Sequence, residues 1–273
     1  MSITHAIPKI WSAKILTDFR ENAIFAGLAN REYEGELKSG NSIRIPGIEP
    51  IEIHDYKAAG RTTEPDEVSD TGLDLLIDQE KSFDFIVDDI DAAQASAPLM
   101  SAYTQSAADG LVEDSDKFLA ALAIANGTAV TPGAPVTSAE TAWNAIRDLR
   151  KALNKAKVPQ ADRLLIVNAE FASYLEEYES KIMAVDTSGD SSGLREATIG
   201  KLLGFTTYNS ENVPTTNKPQ MIGFHRSSIA FVSQISATEA MRAEKKHADR
   251  LRGLHVYGGK VIRPTAVVTY TGA

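Results

Sequence analysis

One segment of the sequence has the spacing of a nucleophilic serine: Gly189-Asp190-Ser191-Ser192-Gly193. The G-x-S-x-G pattern presents the serine hydroxyl on a tight turn between a strand and a helix, so a strand must run directly into the first glycine. Here Asp186-Thr187-Ser188 separate that glycine from the nearest apolar residues. The pattern therefore indicates a polar loop, and a serine hydrolase that uses Ser191 is kept as the alternative from another functional class.

The side chains that commonly bind metals are scattered. The histidines show neither H-E-x-x-H nor H-x-H spacing. Asp88-Asp89-x-Asp91 offers oxygen ligands for a hard cation but lacks the glycine and the distant Glu of a calcium loop, so it predicts an acidic helix start. The sequence also lacks cysteine and the glycine-rich nucleotide motifs. We therefore expect no enzymatic activity, no cofactor and no metal. The five histidines are His5, His54, His225, His247 and His255.

Length and composition indicate one large globular domain or two ordinary ones. The chain has 273 residues, of which 43% are hydrophobic and 24% are charged, enough for a sizeable core. Its net charge of −9 disfavours a protein that coats nucleic acid, because that affinity comes from Lys and Arg contacts to phosphates. The sequence has no basic leader followed by an apolar run and no apolar segment of membrane length, so we expect synthesis in the cytosol and no membrane partner.

Charge is divided unevenly along the chain. Residues 61–91 contain eleven acidic and two basic residues, whereas residues 242–263 contain seven basic and two acidic ones. Two solvated faces would explain this division. The alternative is that copies associate by laying one segment on the other, because complementary charge steers assembly. With the apolar arm described next, this hypothesis gives the candidate subunit-interface residues Trp11, Arg61, Glu64, Asp66, Glu67, Asp70, Arg242, Lys245, Lys246, Arg250 and Arg252.

Periodicity predicts three elements in the N-terminal half. Apolar residues recur at helical spacing over residues 6–29, which indicates a short apolar arm. Over residues 41–89 they alternate around a polar stretch, Lys57 to Gly72, which indicates a long β-hairpin that must lean on another surface. Residues 97–126 return to helical spacing and are followed by Gly127, which predicts a long helix.

The C-terminal half predicts a small α/β unit followed by strands. Thr137-Ser138-Ala139-Glu140 resembles a capping box, and Val158-Pro159 stops the helix behind it. The apolar run 164–167 is typical of a buried strand, and Asn168 caps a helix through about Tyr178. Strands are also expected at 221–224, at 229–235 and from Leu251 onward. Helices and strands in this arrangement indicate the α+β class.

Five short motifs occur in order along nearly the whole chain: Ile7-Pro8-x-x-Trp11-Ser12, Gly40-Asn41-Ser42-Ile43-Arg44-Ile45-Pro46, Ile77-Asp78-Gln79-x-Lys81-x-Phe83, Val87-Asp88-Asp89-Ile90-Asp91-x-x-Gln94 and Tyr257-Gly258-x-Lys260-Val261-x-x-Pro264. In this order they resemble the major capsid proteins of tailed bacteriophages, nearest to the branch with coat proteins of the P22 type. The resemblance implies a Hong Kong 97-like fold. Its parts would be an N-terminal arm (1–40), an extended β-hairpin loop (41–90), a peripheral domain with a spine helix (91–136), an α/β axial domain (137–250) and C-terminal strands that return to the peripheral domain (251–273).

The same resemblance implies a structural role. Such subunits self-assemble as hexamers and pentamers into an icosahedral head of the virion, which encloses packaged double-stranded DNA without sequence-specific binding. It also implies a portal protein, a possible decoration protein and assembly in the host bacterial cytoplasm. A separate scaffolding protein is expected because the sequence lacks the long helical N-terminal segment of a fused scaffold. With the same fold, the alternative is an encapsulin-like nanocompartment shell.

Overall fold

The structure is a computed structural model that describes residues 23–35, 41–47, 53–58, 60–62, 72–89, 99–177, 200–214, 217–244 and 246–272. Its helices are α1 (Phe25–Leu28), α2 (Leu99–Asn126), α3 (Ala139–Lys155) and α4 (Ala169–Leu175). Its strands are β1 (Ser42–Ile45), β2 (Leu73–Leu76), β3 (Gln79–Asp88), β4 (Thr128–Ala129), β5 (Arg163–Val167), β6 (Lys201–Leu202), β7 (Phe205–Asn209), β8 (Gln220–His225), β9 (Ile229–Arg242), β10 (Ala248–Val261) and β11 (Val267–Thr271). Short 3₁₀ turns occupy Glu32–Gly35, Arg226–Ser228 and Pro264–Ala266.

A six-stranded mixed sheet, ordered β4-β11-β8-β5-β7-β6, separates two apolar clusters. On one face, Ile146 and Leu149 of α3 pack with Phe171 of α4. On the other face, Leu119 of α2 packs with Phe25 of α1. Strand β5 is buried along its whole length because helices cover both faces, as its continuous apolar run predicted. The α+β prediction is confirmed.

Helix α2 is the longest element, with 28 residues, or about 42 Å at 1.5 Å per residue. The predicted helix at 97–126 is therefore confirmed over its described part. Its buried side chains include the large Leu119 and the small Ala120 and Ala123. The helix lies against strands of both larger sheets, so it joins the two layers.

The N-caps of α3 and α4 are residue types that the sequence predicts, but the N-cap of α3 lies one residue later than expected. Ser138, rather than Thr137, is the N-cap of α3: its hydroxyl accepts a hydrogen bond from the Thr141 amide, and the Thr141 hydroxyl accepts one from the Ser138 amide. Glu140 is not the reciprocal partner, because Thr141 occupies the third helical position. Asn168 caps α4 as predicted, with its Oδ1 accepting from the Phe171 amide at 3.0 Å, but α4 ends at Leu175.

The strands of the predicted hairpin 41–89 pair differently from a single long ribbon. Strand β1 pairs antiparallel with β2, with Ser42 opposite Leu76. Strand β3 leaves this ribbon and pairs with β10 instead. The base of the β1–β2 ribbon leans on its own chain, because Ile43 and Leu75 are buried against Val232 of β9. The prediction that the ribbon needs a supporting surface is confirmed for this base.

Only the end of the predicted N-terminal arm lies within the described residues. There α1 buries Phe25, whose ring stacks on Phe224 with centroids 6.2 Å apart. The C-terminal segment 251–273, expected to stay together, is divided between sheets: β10 is the central strand of the three-stranded sheet β3-β10-β9, whereas β11 lies inside the six-stranded sheet.

Candidate functional site

The three-stranded sheet has an inner face that packs on α2. Residues Phe83 and Phe85 alternate toward this face, and the Phe85 ring lies 5.8 Å from that of Tyr103 on the helix. The ring of Tyr257 on β10 meets Phe118 edge-on at 5.5 Å. Opposite Phe83 stands Gly253, where a Cβ would lie 2.2 Å from the Phe83 ring, so only glycine lets that ring cover β10.

A polar network lies within the inner face. The Tyr257 hydroxyl donates a 2.6 Å hydrogen bond to Asp114 of α2, and Lys81 of β3 lies 3.5 Å from the same carboxylate. Burial and the bond to Asp114 raise the pKa of Tyr257 above its ordinary range. His255 Nε2 is 3.0 Å from the Ser233 hydroxyl, and its buried Nδ1 has no hydrogen-bond partner among the described residues. Burial lowers the pKa of His255.

The outer face of this sheet carries apolar side chains in contact with solvent. Ile86 of β3 is 51% exposed, Leu254 of β10 is 39% exposed and Met241 of β9 is 37% exposed. An open hollow of about 340 Å³ lies beside Leu254 and is lined by the backbone and side chains of Ser82, Phe83, Asp84, Glu239, Arg252, Gly253 and Leu254. Apolar residues that line one exposed face of a long sheet mark a surface for another protein rather than for a small substrate.

Ion pairs cross the same outer face. Arg250 pairs with Asp84 on the neighbouring strand, and Arg252 pairs with Glu239 at 2.5 Å. The Arg250 guanidinium lowers the pKa of Asp84 through its hydrogen bonds. These pairs are solvent-exposed, so they contribute little to stability and serve mainly to fix the strand register.

A third arginine forms ion pairs with two carboxylates at one end of the three-stranded sheet. Arg242 lies 2.6 Å from Asp89 and 2.7 Å from Asp249. Hydrogen bonds to both carboxylates raise the pKa of Arg242, and the pKa of Asp89 is lowered by the same contact. Parts of the acidic segment 61–91 and of the basic segment 242–263 thus meet within one chain.

The described turn of the hairpin loop has its own local structure. The Asp55 carboxylate accepts hydrogen bonds from the amides of Lys57 and Ala58, and the Arg61 amide donates to the Tyr56 carbonyl at 2.8 Å. Ile53, which begins this turn, is 98% exposed. The turn therefore presents an apolar side chain and cations directly to solvent.

A buried carboxylate anchors the end of the arm. Asp116 of α2 is fully buried and accepts hydrogen bonds from the amides of Ile24 and Ala26 at 3.0 and 2.9 Å, and from the Asn212 side chain at 3.2 Å. The first two amides belong to the start of α1, where unpaired donors need an acceptor. Asp116 thus fixes α1 to the long helix.

The predicted interface residues fall into three groups. Trp11, Glu64, Asp66, Glu67, Asp70 and Lys245 lie outside the described residues. Arg61 and Lys246 are exposed. Arg242, Arg250 and Arg252 form the ion pairs within the chain described above. Whether any of them contacts a second copy stays a prediction.

Several of the candidates for chemistry in the sequence cannot be placed in the fold. Ser191, His5 and Asp91 lie outside the described residues. Within the described residues, no three metal-ligating side chains come together. In the same part of the chain, no helix is both long and apolar enough to cross a bilayer.

Sequence reasoning missed Asp114 and Asp116. A signal existed for the first, because Asp114 lies three residues after Leu111 and four before Phe118, on the apolar stripe of the predicted helix. A charged residue on such a stripe indicates a polar contact with the element that packs on the helix. Nothing local identified Tyr257 as its partner, since 143 residues separate the two.

Comparisons with known proteins agree with this architecture. A family model described as phage capsid protein matches residues 76–270. A solved chain from Mycobacterium phage Che8 is 48% identical, with a TM-score of 0.91 and coverage of 98% of both chains. The capsid structure of the cyanophage P-SCSP1u is similar at 16% identity and a TM-score of 0.81, over 98% of this chain and 93% of that one. The mature capsid of bacteriophage PhiM1 is similar at 15% identity and a TM-score of 0.75, over 97% and 91%. No curated protein matches the chain in sequence.

Proposed function

The chain belongs to the phage capsid protein family, and on that premise we propose that its hexamers and pentamers close into the icosahedral head of a tailed phage around packaged double-stranded DNA. Its role as a structural major capsid protein of the virion, assembled from copies of itself, follows from the family and from the full-length similarity to solved phage capsids. The fold is of the Hong Kong 97-like α+β type.

One structural observation carries the proposal for how subunits associate. The β1–β2 ribbon is buried at its base, yet Leu73 and Leu76 of β2 are 39% and 53% exposed. Beyond them, the turn exposes Ile53 almost completely. A thin two-stranded ribbon with apolar side chains on its free surface gains stability when a neighbour covers it.

We propose that each of the two larger sheets forms the core of one domain of the capsid fold. Helix α2 and the three-stranded sheet would form the peripheral domain, and the six-stranded sheet with α3 and α4 would form the axial domain. The β1–β2 ribbon and its loop would be the extended loop. In this arrangement β11 belongs to the axial domain, because it lies between β4 and β8, whereas β10 belongs to the peripheral one.

The remaining partners are part of the same proposal. A separate scaffolding protein and a portal protein would act with the chain in the host bacterial cytoplasm, and a decoration protein is an optional further partner. The net charge of −9 supports a shell that encloses DNA without gripping it, since phosphates and carboxylates repel. Weak attachment suits a container that must load and release its contents.

The alternatives are not favoured. The family match describes a phage capsid protein, which favours a phage head over an encapsulin-like compartment. A structural role in that family also disfavours a serine hydrolase. Labelling with a fluorophosphonate probe, compared with a Ser191→Ala variant, tests the hydrolase directly, and we expect no labelling of either protein.

Assembly itself is tested by electron microscopy. The full chain is expressed in bacteria alone and together with the scaffolding gene of a closely related phage, and the products are separated by sedimentation. We expect closed icosahedral shells with pentameric vertices in at least one of the two preparations. A folded chain that stays monomeric in both would overturn the proposal.

A further inference from the structure

A cluster of cations, here called the cationic corner, lies at one end of the six-stranded sheet. It consists of Arg150 near the end of α3, Arg163 at the start of β5, Arg226 after β8 and Arg263 after β10. The Arg226 amide donates to the backbone carbonyl of Asp162 at 3.1 Å. Arg163 stands opposite His225 in the strand register, and Arg263 donates to the Ser227 hydroxyl at 3.2 Å. These contacts place Arg163, Arg226 and Arg263 at the same end of the sheet, and Arg150 lies near enough to Arg163 for the two charges to interact.

The corner contains a buried cation without an opposing charge. Arg163 is 3% exposed, and its guanidinium donates to the carbonyls of Pro159 and Val158 at 2.8 and 2.6 Å. In the described part of the chain, no carboxylate forms an ion pair with it. Burial and the nearby Arg150 lower its pKa. Since like charges are held together here, a bound anion would stabilise the corner.

The charge around the corner is strongly one-sided. Residues 150–163, 225–228 and 262–263 contain seven Lys or Arg and a single acidic residue, in a chain whose net charge is −9. Arg226 and Arg263 are solvent-exposed. By contrast, Arg242, Arg250 and Arg252 are already satisfied by carboxylates of their own chain. Of these five arginines, the two that are exposed and have no carboxylate partner among the described residues are therefore Arg226 and Arg263 of the corner.

We propose that the cationic corner receives the acidic stretch 63–71 of a second copy of the chain. That stretch contains Glu64, Asp66, Glu67 and Asp70 and no Lys or Arg. Carboxylates match the planar donors of exposed arginines, and complementary charge sets the register between subunits. The inference rests on the proposed function, because it requires copies to assemble. A second copy is favoured over DNA as the occupant because assembly from copies characterises the family.

The first test exchanges charges between copies. One variant carries Arg226→Glu with Arg263→Glu, the other Asp66→Lys with Glu67→Lys. Each alone is expected to lose most shell formation, whereas a single chain that carries all four substitutions should recover it, because its reversed stretch then fits the reversed corner of every neighbouring copy. Lys201→Glu with Lys218→Glu, two exposed cations elsewhere, is the matched control and should assemble as the unmodified chain does. Circular dichroism and thermal melting check that each variant folds.

The second test does not depend on shells. A fluorescent peptide with the sequence of residues 62–72 is titrated with the folded full-length subunit at several salt concentrations. We expect binding that weakens with salt and that is about tenfold weaker for the corner variant than for the control, as the loss of two exposed ion pairs implies.

The outcomes separate this inference from the proposed function. Normal assembly by the folded corner variant, or failure of the folded fourfold variant to assemble, would overturn the inference while shells of the unmodified chain still supported the proposed function. A corner variant that assembles normally but loses binding to a 20-base-pair duplex would assign the corner to nucleic acid and also overturn it. If the unmodified chain forms no shells, the peptide titration decides the inference alone.

Discussion

The hydroxyl of Tyr257 donates a 2.6 Å hydrogen bond to the carboxylate of Asp114, and this bond joins the central strand of the three-stranded sheet to the long helix. Tyr257 is fully buried, while Lys81 approaches the same carboxylate from β3. Three elements thus converge on Asp114. Because the long helix also lies against β8 and β11 of the six-stranded sheet, the contact fixes the three-stranded sheet relative to the helix that joins the two layers.

Tyr257→Phe is expected to lower the free energy of unfolding by about 1.5 kcal/mol, because a hydrogen bond to a charged acceptor is lost while the ring stays packed. Urea denaturation followed by circular dichroism measures the change. Tyr103→Phe is the control, since Tyr103 is 54% exposed and contributes its ring to the contact with Phe85. Equal effects of the two substitutions would contradict the role given to Asp114.

Gly258→Ala is expected to detach the β1–β2 ribbon from β10. A Cβ at Gly258 would lie 2.2 Å from the Leu76 carbonyl oxygen and 2.7 Å from the Ile77 Cα, and both are backbone atoms. Relieving such an overlap should cost about 3 kcal/mol. Gly133→Ala is the matched control, because nothing lies within 4 Å of its added Cβ. Denaturation and hydrogen exchange at residues 73–77 report the result; unchanged protection there would refute the expectation.

Stability is expected to fall as the pH drops below about 6.5, the ordinary pKa of histidine, because His255 has a lowered pKa in the folded chain. Its neutral form is favoured there by burial, although Asp114 opposes the shift. The unfolded chain therefore binds a proton first, and stability is lost between its pKa and the lower pKa of the folded state. His255→Asn should flatten this part of the curve when unfolding is measured from pH 7.5 to 5. An unaltered slope would show that other groups cause it.

Asp116→Asn is expected to loosen α1 from the long helix and to lower the free energy of unfolding by about 2 to 3 kcal/mol. The buried carboxylate accepts three hydrogen bonds, and an amide cannot accept them all. Faster hydrogen exchange of the amides of Ile24 and Ala26 measures the loss directly. Asp109→Asn, an exposed position on the same helix, serves for comparison. Equal protection in both variants would exclude an anchoring role for Asp116.

The local elements follow from the sequence by itself. The apolar run of β5, the helical spacing of α2 and the Asn168 cap each depend on residues a few positions apart, so their physical causes can be seen in the printed sequence. The shift from Thr137 to Ser138 at the start of α3 shows the limit even here, because two adjacent hydroxyl residues offer the same chemistry and backbone geometry chooses between them.

Only the tertiary structure decided which strands pair and which charges meet. Alternation at residues 79–88 predicts a half-buried strand but carries no information on its partner, since any strand with a suitable face satisfies the same period. Pairing with β10 brings Arg250 to Asp84 and Tyr257 to Asp114, across 166 and 143 residues. These contacts therefore depend on which strands pair in the folded chain. Hydrogen bonds and ion pairs act only over a few ångströms, and the distance between two residues along the sequence does not show whether they come that close.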